Sequence, residues 1–204
     1  FCDANKIFLL GHSEGCILAP QVSLKRSALA GLILLCPFAD DMESILIKQA
    51  THIQREFEGP PGVKGLVRRF LSRIMGMTVA SQQKLIDKLK SSNVDTLGSG
   101  SQKIAAKSLR ELIHLDPRAL FSRVSCPMLL IGAEKDLQAD PEDVRRIAEL
   151  ANGPVDAHVV KNLTHVLRFD EGQPSLLGSG ALLNKPIEPI VLDLIAGWLN
   201  KQCF

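Results

Sequence analysis

The sequence predicts an α/β fold in which a parallel sheet is flanked by helices. Several short runs are continuously apolar, and strands that are buried on both faces of a parallel sheet have this composition. Segments with helical periodicity lie between and after these runs, which is the order of elements in an α/β protein. The chain has 204 residues, of which 46% are hydrophobic, so it is long enough to bury one sizeable core.

Four apolar runs are predicted to form the strands of this sheet. The first three are nearly continuous in Ile, Leu, Phe and Met, whereas the fourth, AHVV, is the weakest of the set. In chain order the runs cover residues 7–10, 31–36, 128–131 and 157–160.

Three segments between and after these runs are predicted to be helices. Asp140 precedes Pro141, and this pair predicts a helix with aspartate at the N-cap and proline at the first position. Asp116 and Pro117 predict a shorter helix in the same way. Near the end of the chain, apolar residues repeat at helical spacing over residues 187–198, which predicts an amphipathic helix.

Residues 38–125 interrupt the alternation of strands and helices. They contain no convincing strand, but they carry helical stripes separated by glycine- and proline-rich breaks. An insertion of this length predicts a helical cap or lid, so we expect a core of residues 1–37 and 126–204 and a cap of residues 38–125. Within the cap, residues 66–75 place arginines 68, 69 and 73 beside an apolar stripe, which favours an ordinary cap helix over an interfacial lipid-binding helix.

Charge and composition argue against several classes of partner. The net charge of +2 is too small to indicate binding to nucleic acid or to an anionic membrane. No run approaches the ~20 apolar residues of a membrane span. No secretory signal opens the chain, but its first residue is phenylalanine, not methionine, so we expect its beginning to be missing.

The five cysteines are odd in number and scattered, and no Cys-x-x-Cys pair occurs among them. This pattern does not predict a zinc site. It predicts buried free thiols and weakly favours a reducing compartment such as the cytoplasm.

The first apolar run ends in GHSEG, residues 11–15, which fits the pattern G-x-S-x-G. A sharp turn from strand to helix strains the central residue and crowds the flanking positions, which favours glycine there. The turn exposes the serine oxygen above the sheet, and the following helix directs backbone N–H groups towards it. Ser13 is therefore the candidate nucleophile; the alternative is a plain helix N-cap.

A serine nucleophile needs a histidine base, and the base needs an acid to orient it. After a G-x-S-x-G turn the expected chain order is serine, acid, histidine. The loop after the third predicted strand offers Glu134, Asp136 and Asp140. Asp140 already has a helix-capping role, so Asp136, at the loop tip, is preferred. Weaker alternatives follow the second strand and are predicted to cap a helix instead: Asp40 and Asp41.

His165 is the candidate base, because it follows the last predicted strand in a loop, in the sequence NLTH. Its chain order and its position at a strand end both suit a general base. The other histidines are assigned structural roles, with His12 packing in the serine turn; the remaining ones are His52, His114 and His158.

Three motifs in this order resemble the α/β-hydrolase superfamily: GHSEG, CPMLLIGAEKD and NLTHVLR. The stretches GHSEGCILAP and LAGLILLCP are similar, more closely, to the serine-aminopeptidase-like esterase branch. The resemblance implies a partial α/β-hydrolase fold, covering the C-terminal two-thirds and lacking the N-terminal strands.

The resemblance also implies the chemistry. It makes Ser13, Asp136 and His165 a catalytic triad that cleaves carboxylic esters through an acyl-enzyme, and it makes the backbone N–H of Glu14 one oxyanion donor. A second donor would come from a loop upstream of Ser13, so we expect the fragment alone to be inactive. No cofactor or metal is implied; the partner is a small-molecule ester or amide substrate, and the oligomeric state is not predicted. The alternatives are a peptidase or amidase with the same triad, and a non-catalytic binding module.

Overall fold

The structure is a computed structural model that describes residues 3, 6–26, 28–59, 66, 70, 76, 78–98 and 103–203. Contacts between Cα atoms divide the chain into a sheet unit, Phe1–Asp40 with Pro117–Phe204, and a helical unit, Asp41–Asp116. In chain order the elements are β1 (Phe8–His12), α1 (Gly15–Lys25), β2 (Gly31–Leu35), α2 (Met42–Glu58), α3 (Val79–Ser91), β3 (Thr96–Leu97), β4 (Ile104–Ala105), α4 (Ala106–Ile113), α5 (Pro117–Phe121), β5 (Met128–Ala133), α6 (Asp143–Leu150), β6 (Val155–Val160), α7 (Ser179–Leu182) and α8 (Pro189–Cys203).

The sheet unit contains a parallel sheet of order β1-β2-β5-β6, which confirms the predicted fold class. Every residue of β2 and β5 is buried, as their continuously apolar sequences predict. β6 lies at one edge and alternates between partly buried and exposed residues, which explains why its apolar signal is the weakest. Because the strands are parallel, their carboxyl ends lie on the same side of the sheet. The loops that follow β1, β5 and β6 therefore all leave the sheet at that side.

One face of the sheet packs against α8. Alternate residues of the central strands point to this face, among them Ile33 and Leu129. Val191 and Trp198 of α8 are seven residues apart, so they share one side of the helix, and both are buried against the sheet. The ring of Trp198 meets that of Phe8 edge to face, with centroids 5.6 Å apart. This core fixes the strands whose ends carry the candidate site.

The helix predicted to open at Asp140 and Pro141 begins later, at Asp143. Asp140 still acts at its start, because its Oδ1 accepts the N–H of Glu142 at 3.0 Å and its carbonyl accepts the N–H of Asp143 at 2.9 Å. These two bonds form a turn that precedes α6. By contrast, α5 begins at Pro117, as the Asp-Pro pair predicts.

The helical unit combines α2, α3 and α4 with a short antiparallel pair of strands. The Oδ1 atom of Asp41 accepts the N–H of Ser44 at 2.9 Å and so caps α2, while Lys90 of α3 forms an ion pair with Glu43 of α2. The expectation of no strand in this part of the chain was wrong, since β3 pairs with β4. Strands of two residues are too short to leave a periodic pattern in a sequence.

The predicted helix over residues 66–75 lies mostly outside the described residues, including its arginines at positions 68, 69 and 73. Leu66 and Phe70 are described, and both are helical and exposed. Across the described ranges, no helix combines the length and the apolar composition that crossing a bilayer requires.

Candidate active site

Ser13 lies in the turn that joins β1 to α1. Its φ is +54°, in the left-handed region that costs a residue with a side chain about 1–2 kcal/mol. Two backbone bonds hold it there: its N–H donates to the carbonyl of Leu35 at 3.0 Å, and its carbonyl accepts the N–H of Cys16 at 2.8 Å. The turn therefore holds the partly exposed Ser13 side chain at the carboxyl end of β1.

The glycines that flank Ser13 have different roles. A Cβ atom on Gly11 would lie 2.3 Å from the carbonyl oxygen of Gly15 and 2.9 Å from the backbone nitrogen of Cys16. A Cβ atom on Gly15 would meet no described atom within 4 Å. The sequence predicted crowding at both positions, but it occurs only at Gly11, because the backbone of Gly15 is itself the crowding group.

Gly11→Ala is expected to destabilise the protein by about 1–3 kcal/mol, because the added methyl group meets rigid backbone atoms and forces the turn to shift. Gly15→Ala is the matched control: it adds the same methyl group in open space, and alanine favours a helix over glycine by up to about 1 kcal/mol. Urea unfolding of both variants measures the difference. Equal stability of the two variants would contradict the steric account of this turn.

Asp136 is held rigidly in the loop after β5. Its side chain is buried, and its Oδ1 accepts the backbone N–H groups of Gln138 at 2.7 Å and Ala139 at 3.0 Å. Its own N–H donates to the carbonyl of Ala133 at 3.1 Å. These bonds fix the orientation of the carboxylate and leave Oδ2 to accept from a further donor.

His165 joins the serine to the aspartate. Its Nδ1 lies 2.7 Å from Asp136 Oδ2, and since a carboxylate only accepts, Nδ1 carries the hydrogen. In a neutral imidazole this leaves Nε2 as an acceptor, and Nε2 lies 3.0 Å from the Oγ of Ser13. The structure thus brings Ser13, Asp136 and His165 into one chain of hydrogen bonds, although the serine and the histidine are 152 positions apart.

The other acidic candidates have different partners. Glu134 accepts a backbone N–H from the loop that carries His165, and Asp140 accepts one at the start of α6. The carboxylate of Asp40 lies within 4 Å of arginines on α5 and α6. Among the carboxylates that the structure describes, Asp136 is the one bonded to the imidazole of His165.

The two residues between Ala133 and Asp136 tie the loop after β5 to the loop that carries His165. Glu134 Oε2 accepts the N–H of Asn162 at 2.8 Å, and the N–H of Lys135 donates to the carbonyl of Leu163 at 2.9 Å. The ammonium of Lys135 also donates to the carbonyl of Asp170, further along the histidine loop. Asp136 and His165 therefore lie in loops that are bonded to each other directly.

Strained backbone is concentrated around this site. Left-handed φ angles at residues other than glycine are uncommon and, when they occur, cluster at functional sites. Among the described residues, such angles occur twice at the ends of β1 and β2 and twice in the histidine loop, at Ser13, Cys36, Asn162 and Leu167.

Two residues near His165 were not predicted to contact it. His12 was assigned a packing role, but its Nε2 lies 2.8 Å from the carbonyl oxygen of His165, and the two rings lie 5.0 Å apart. The Sγ of Cys36 lies 3.7 Å from the same carbonyl. Burial raises the pKa of the Cys36 thiol, and the nearby charge of Asp136 adds to this effect. Topology could have indicated that both residues lie near the site, because His12 is the last residue of β1 and Cys36 directly follows β2.

His12, Cys36 and His165 carry side-chain atoms of the kind that bind metal ions. Three such atoms, one from each residue, lie within 4.8 Å of one another. Both ring nitrogens of His165 are already within hydrogen-bond distance of Asp136 and Ser13, and metal binding would also require the Cys36 thiol to lose its proton. The present hydrogen bonds suit a proton-transfer site better than a metal centre.

Glu14 directly follows the serine and is the N-cap of α1, with an exposed side chain. Backbone N–H groups in the first turn of a helix have no acceptor within the helix. The N–H of Glu14 lies at this end of the helix, and it belongs to the residue that the resemblance expects to supply an oxyanion donor.

The family model described as serine aminopeptidase, S33, matches residues 3–172 of this chain. The chain belongs to this family. The S33 match spans β1 to β6 and includes the turn that carries Ser13, the loop that carries Asp136 and the loop that carries His165.

The esterase EstD of Thermotoga maritima is 24% identical over 203 residues, which are 98% of this chain and 44% of EstD. The structure of DcsB with its substrate analogue has a TM-score of 0.55 at 16% identity and covers 98% of this chain and 65% of DcsB. A structure of the metagenome-derived lipolytic enzymes LipS and LipT has a TM-score of 0.52 at 16% identity, with 98% of this chain and 66% of that chain covered. These likenesses confirm the α/β-hydrolase fold for this S33 chain, which spans under half of EstD and about two thirds of the structural relatives.

Proposed function

We propose that the chain carries the catalytic residues of a serine hydrolase that cleaves carboxylic esters. The observation that carries the proposal is the bonded series from Asp136 Oδ2 through the His165 ring to Ser13 Oγ, with distances of 2.7 and 3.0 Å. These are the distances at which a base activates a hydroxyl nucleophile. The esterase EstD and the lipolytic enzymes LipS and LipT favour an ester as the substrate class.

In the first half of the reaction, Ser13 Oγ forms a bond to the ester carbonyl carbon while its proton moves to His165 Nε2. Asp136 stabilises the imidazolium that results and keeps Nδ1 protonated. The backbone N–H of Glu14 donates to the developing oxyanion. The intermediate collapses when the carbon–oxygen bond to the alcohol breaks, and the proton on Nε2 goes to the leaving oxygen. The product of this half is an acyl-enzyme on Ser13.

In the second half, water replaces the alcohol. His165 Nε2 takes one proton from water as its oxygen bonds to the acyl carbon. The bond to Ser13 Oγ then breaks, and the proton returns to this oxygen. The acid leaves, and the site regains its starting protonation. The roles proposed for Ser13, His165 and Asp136 are supported by the hydrogen bonds that join them.

We also propose that the insertion over residues 38–125 is a cap that acts in substrate selection. Within it, Asp41–Asp116 form a unit with their own internal contacts, while all three proposed catalytic residues belong to the sheet unit. An insertion that forms a compact unit of its own can vary in sequence without disturbing the residues that are proposed to do the chemistry.

A second candidate activity is peptide or amide hydrolysis. The family description names an aminopeptidase, and the same nucleophile, base and acid can cleave either bond. The discriminating measurement compares p-nitrophenyl acetate with amino-acid p-nitroanilides. Turnover of the ester without turnover of the anilides supports the esterase, and measurable turnover of the anilides supports the peptidase.

The proposal is tested by treating the full-length protein with a fluorophosphonate, which reacts only with an activated serine. We expect one adduct, located by peptide mass spectrometry at Ser13, together with hydrolysis of p-nitrophenyl acetate. Labelling at a different serine would contradict the assignment. A folded full-length protein that neither labels nor hydrolyses an ester or an amide would favour a non-catalytic binding module.

A further inference from the structure

The backbone of His165, as well as its ring, has specific partners. Its carbonyl oxygen lies 2.8 Å from His12 Nε2 and 3.7 Å from the Sγ of Cys36. A carbonyl only accepts, so the short contact requires the hydrogen of His12 to be on Nε2. A thiol is a weak donor, and at 3.7 Å the contact from Cys36 is the lesser of the two.

The donor and the nucleophile are neighbours in sequence. His12 is the last residue of β1, and Ser13 follows it in the turn. The same short segment therefore presents the hydroxyl to His165 Nε2 and bonds the main chain of His165. Residues 12 and 13 thus contact the main chain and the ring of His165, while Asp136 is bonded to the opposite side of the ring.

The loop that carries His165 contains strained backbone that bonds from neighbouring segments must hold in place. Asn162 and Leu167, on either side of His165, both have left-handed backbone, with φ of +60° and +61°. Such conformations persist only where surrounding bonds over-determine them. On the acid side, Glu134 and Lys135 bond the loop; the bond from His12 anchors it on the nucleophile side.

We propose that His12 is a positioning residue, whose Nε2–H holds the carbonyl of His165 so that the imidazole stays within reach of Ser13. This inference rests on the proposed function. His12 is not a second base, because in the described part of the chain its ring bonds to this carbonyl and not to the Ser13 hydroxyl. Desolvation lowers the pKa of His12, which favours the neutral ring and avoids a second positive charge beside the imidazolium.

The test compares two substitutions of similar length and shape in the full-length protein. His12→Gln keeps an N–H donor, and His12→Met removes it. We expect His12→Met to lower kcat for p-nitrophenyl acetate roughly 10- to 100-fold, with little change in KM, because a misplaced catalytic group can cost about 10²-fold. We expect His12→Gln to retain most of the wild-type kcat. His158→Met is the matched control, since this histidine lies on the edge strand β6 and pairs with Asp156.

A second readout does not depend on turnover. We expect the proton between His165 Nδ1 and Asp136 to give a low-field NMR signal that is retained in His12→Gln and broadened or shifted in His12→Met. If thermal unfolding shows that His12→Met is not folded, His12→Ala takes its place as the variant without a donor.

The outcomes separate this inference from the proposed function. A wild-type protein that is folded but inactive overturns the proposed function and, with it, this inference. An active wild type with an equally active, spectrally unchanged His12→Met overturns the positioning role alone. Equal losses in folded His12→Gln and His12→Met would also overturn it, because the donor would then not be the property that matters.

Discussion

Replacing Ser13 with alanine is expected to lower kcat for ester hydrolysis by about 10⁶-fold, the scale seen when a triad nucleophile is removed. The substitution deletes the oxygen that lies 3.0 Å from His165 Nε2 and leaves no group to form the acyl-enzyme. The backbone should hardly change, because alanine and serine meet the same strain at a φ of +54°. We therefore expect loss of activity without loss of fold.

Two measurements check this prediction on the full-length protein. Fluorophosphonate labelling should disappear in Ser13→Ala, while the urea midpoint should remain close to that of the wild type. Ser122→Ala is the matched control, since it removes a hydroxyl that donates to a local backbone carbonyl, that of Ala119. Labelling that persists in Ser13→Ala would place the nucleophile elsewhere.

Asp136→Asn is expected to lower kcat by roughly 10⁴-fold, as a change of histidine tautomer does in a serine triad. The asparagine oxygen can still accept the N–H groups of Gln138 and Ala139, which now bond Oδ1. Its NH₂ group then faces His165 Nδ1 in place of Oδ2, and it can only donate. The imidazole must present a bare Nδ1 and carry its hydrogen on Nε2, where it can no longer take the proton of Ser13.

The loop should keep its structure in this variant, so the effect is chemical. Asp140→Asn is the matched control in the same loop, because its Oδ1 accepts a backbone N–H that an asparagine oxygen can also accept. Steady-state kinetics on both variants measure the contrast. An Asp136→Asn enzyme within tenfold of the wild type, or an equal loss in Asp140→Asn, would contradict the proposed orienting role.

The parts of the fold that could be predicted are those with a local signal. β2 and β5 are buried on both faces, so their sequences are apolar throughout. Ser13 is marked by the spacing of two glycines, of which Gly11 is sterically required. Asp136 and His165 follow from chain order and strand ends, and the structure joins them to Ser13 in one series of hydrogen bonds; their catalytic roles remain predictions.

The parts that could not be predicted depend on contacts that are distant in sequence. The bond from His12 joins residues 153 positions apart, and no local pattern marks it. The role of Glu134 also depends on a partner 28 positions away, so the sequence offered it only as an alternative acid. The β3–β4 pair was missed because two residues per strand carry no period.

The division of the chain into two units has an evolutionary consequence. The helical unit is one continuous stretch, Asp41–Asp116, inserted between β2 and β5, which are neighbours in the sheet. Ser13 lies before this stretch, and Asp136 and His165 lie after it. Recombination or drift could therefore replace the insertion as a module and leave the proposed catalytic residues unchanged, so that descendants of one ancestor could differ in substrate while sharing the proposed reaction.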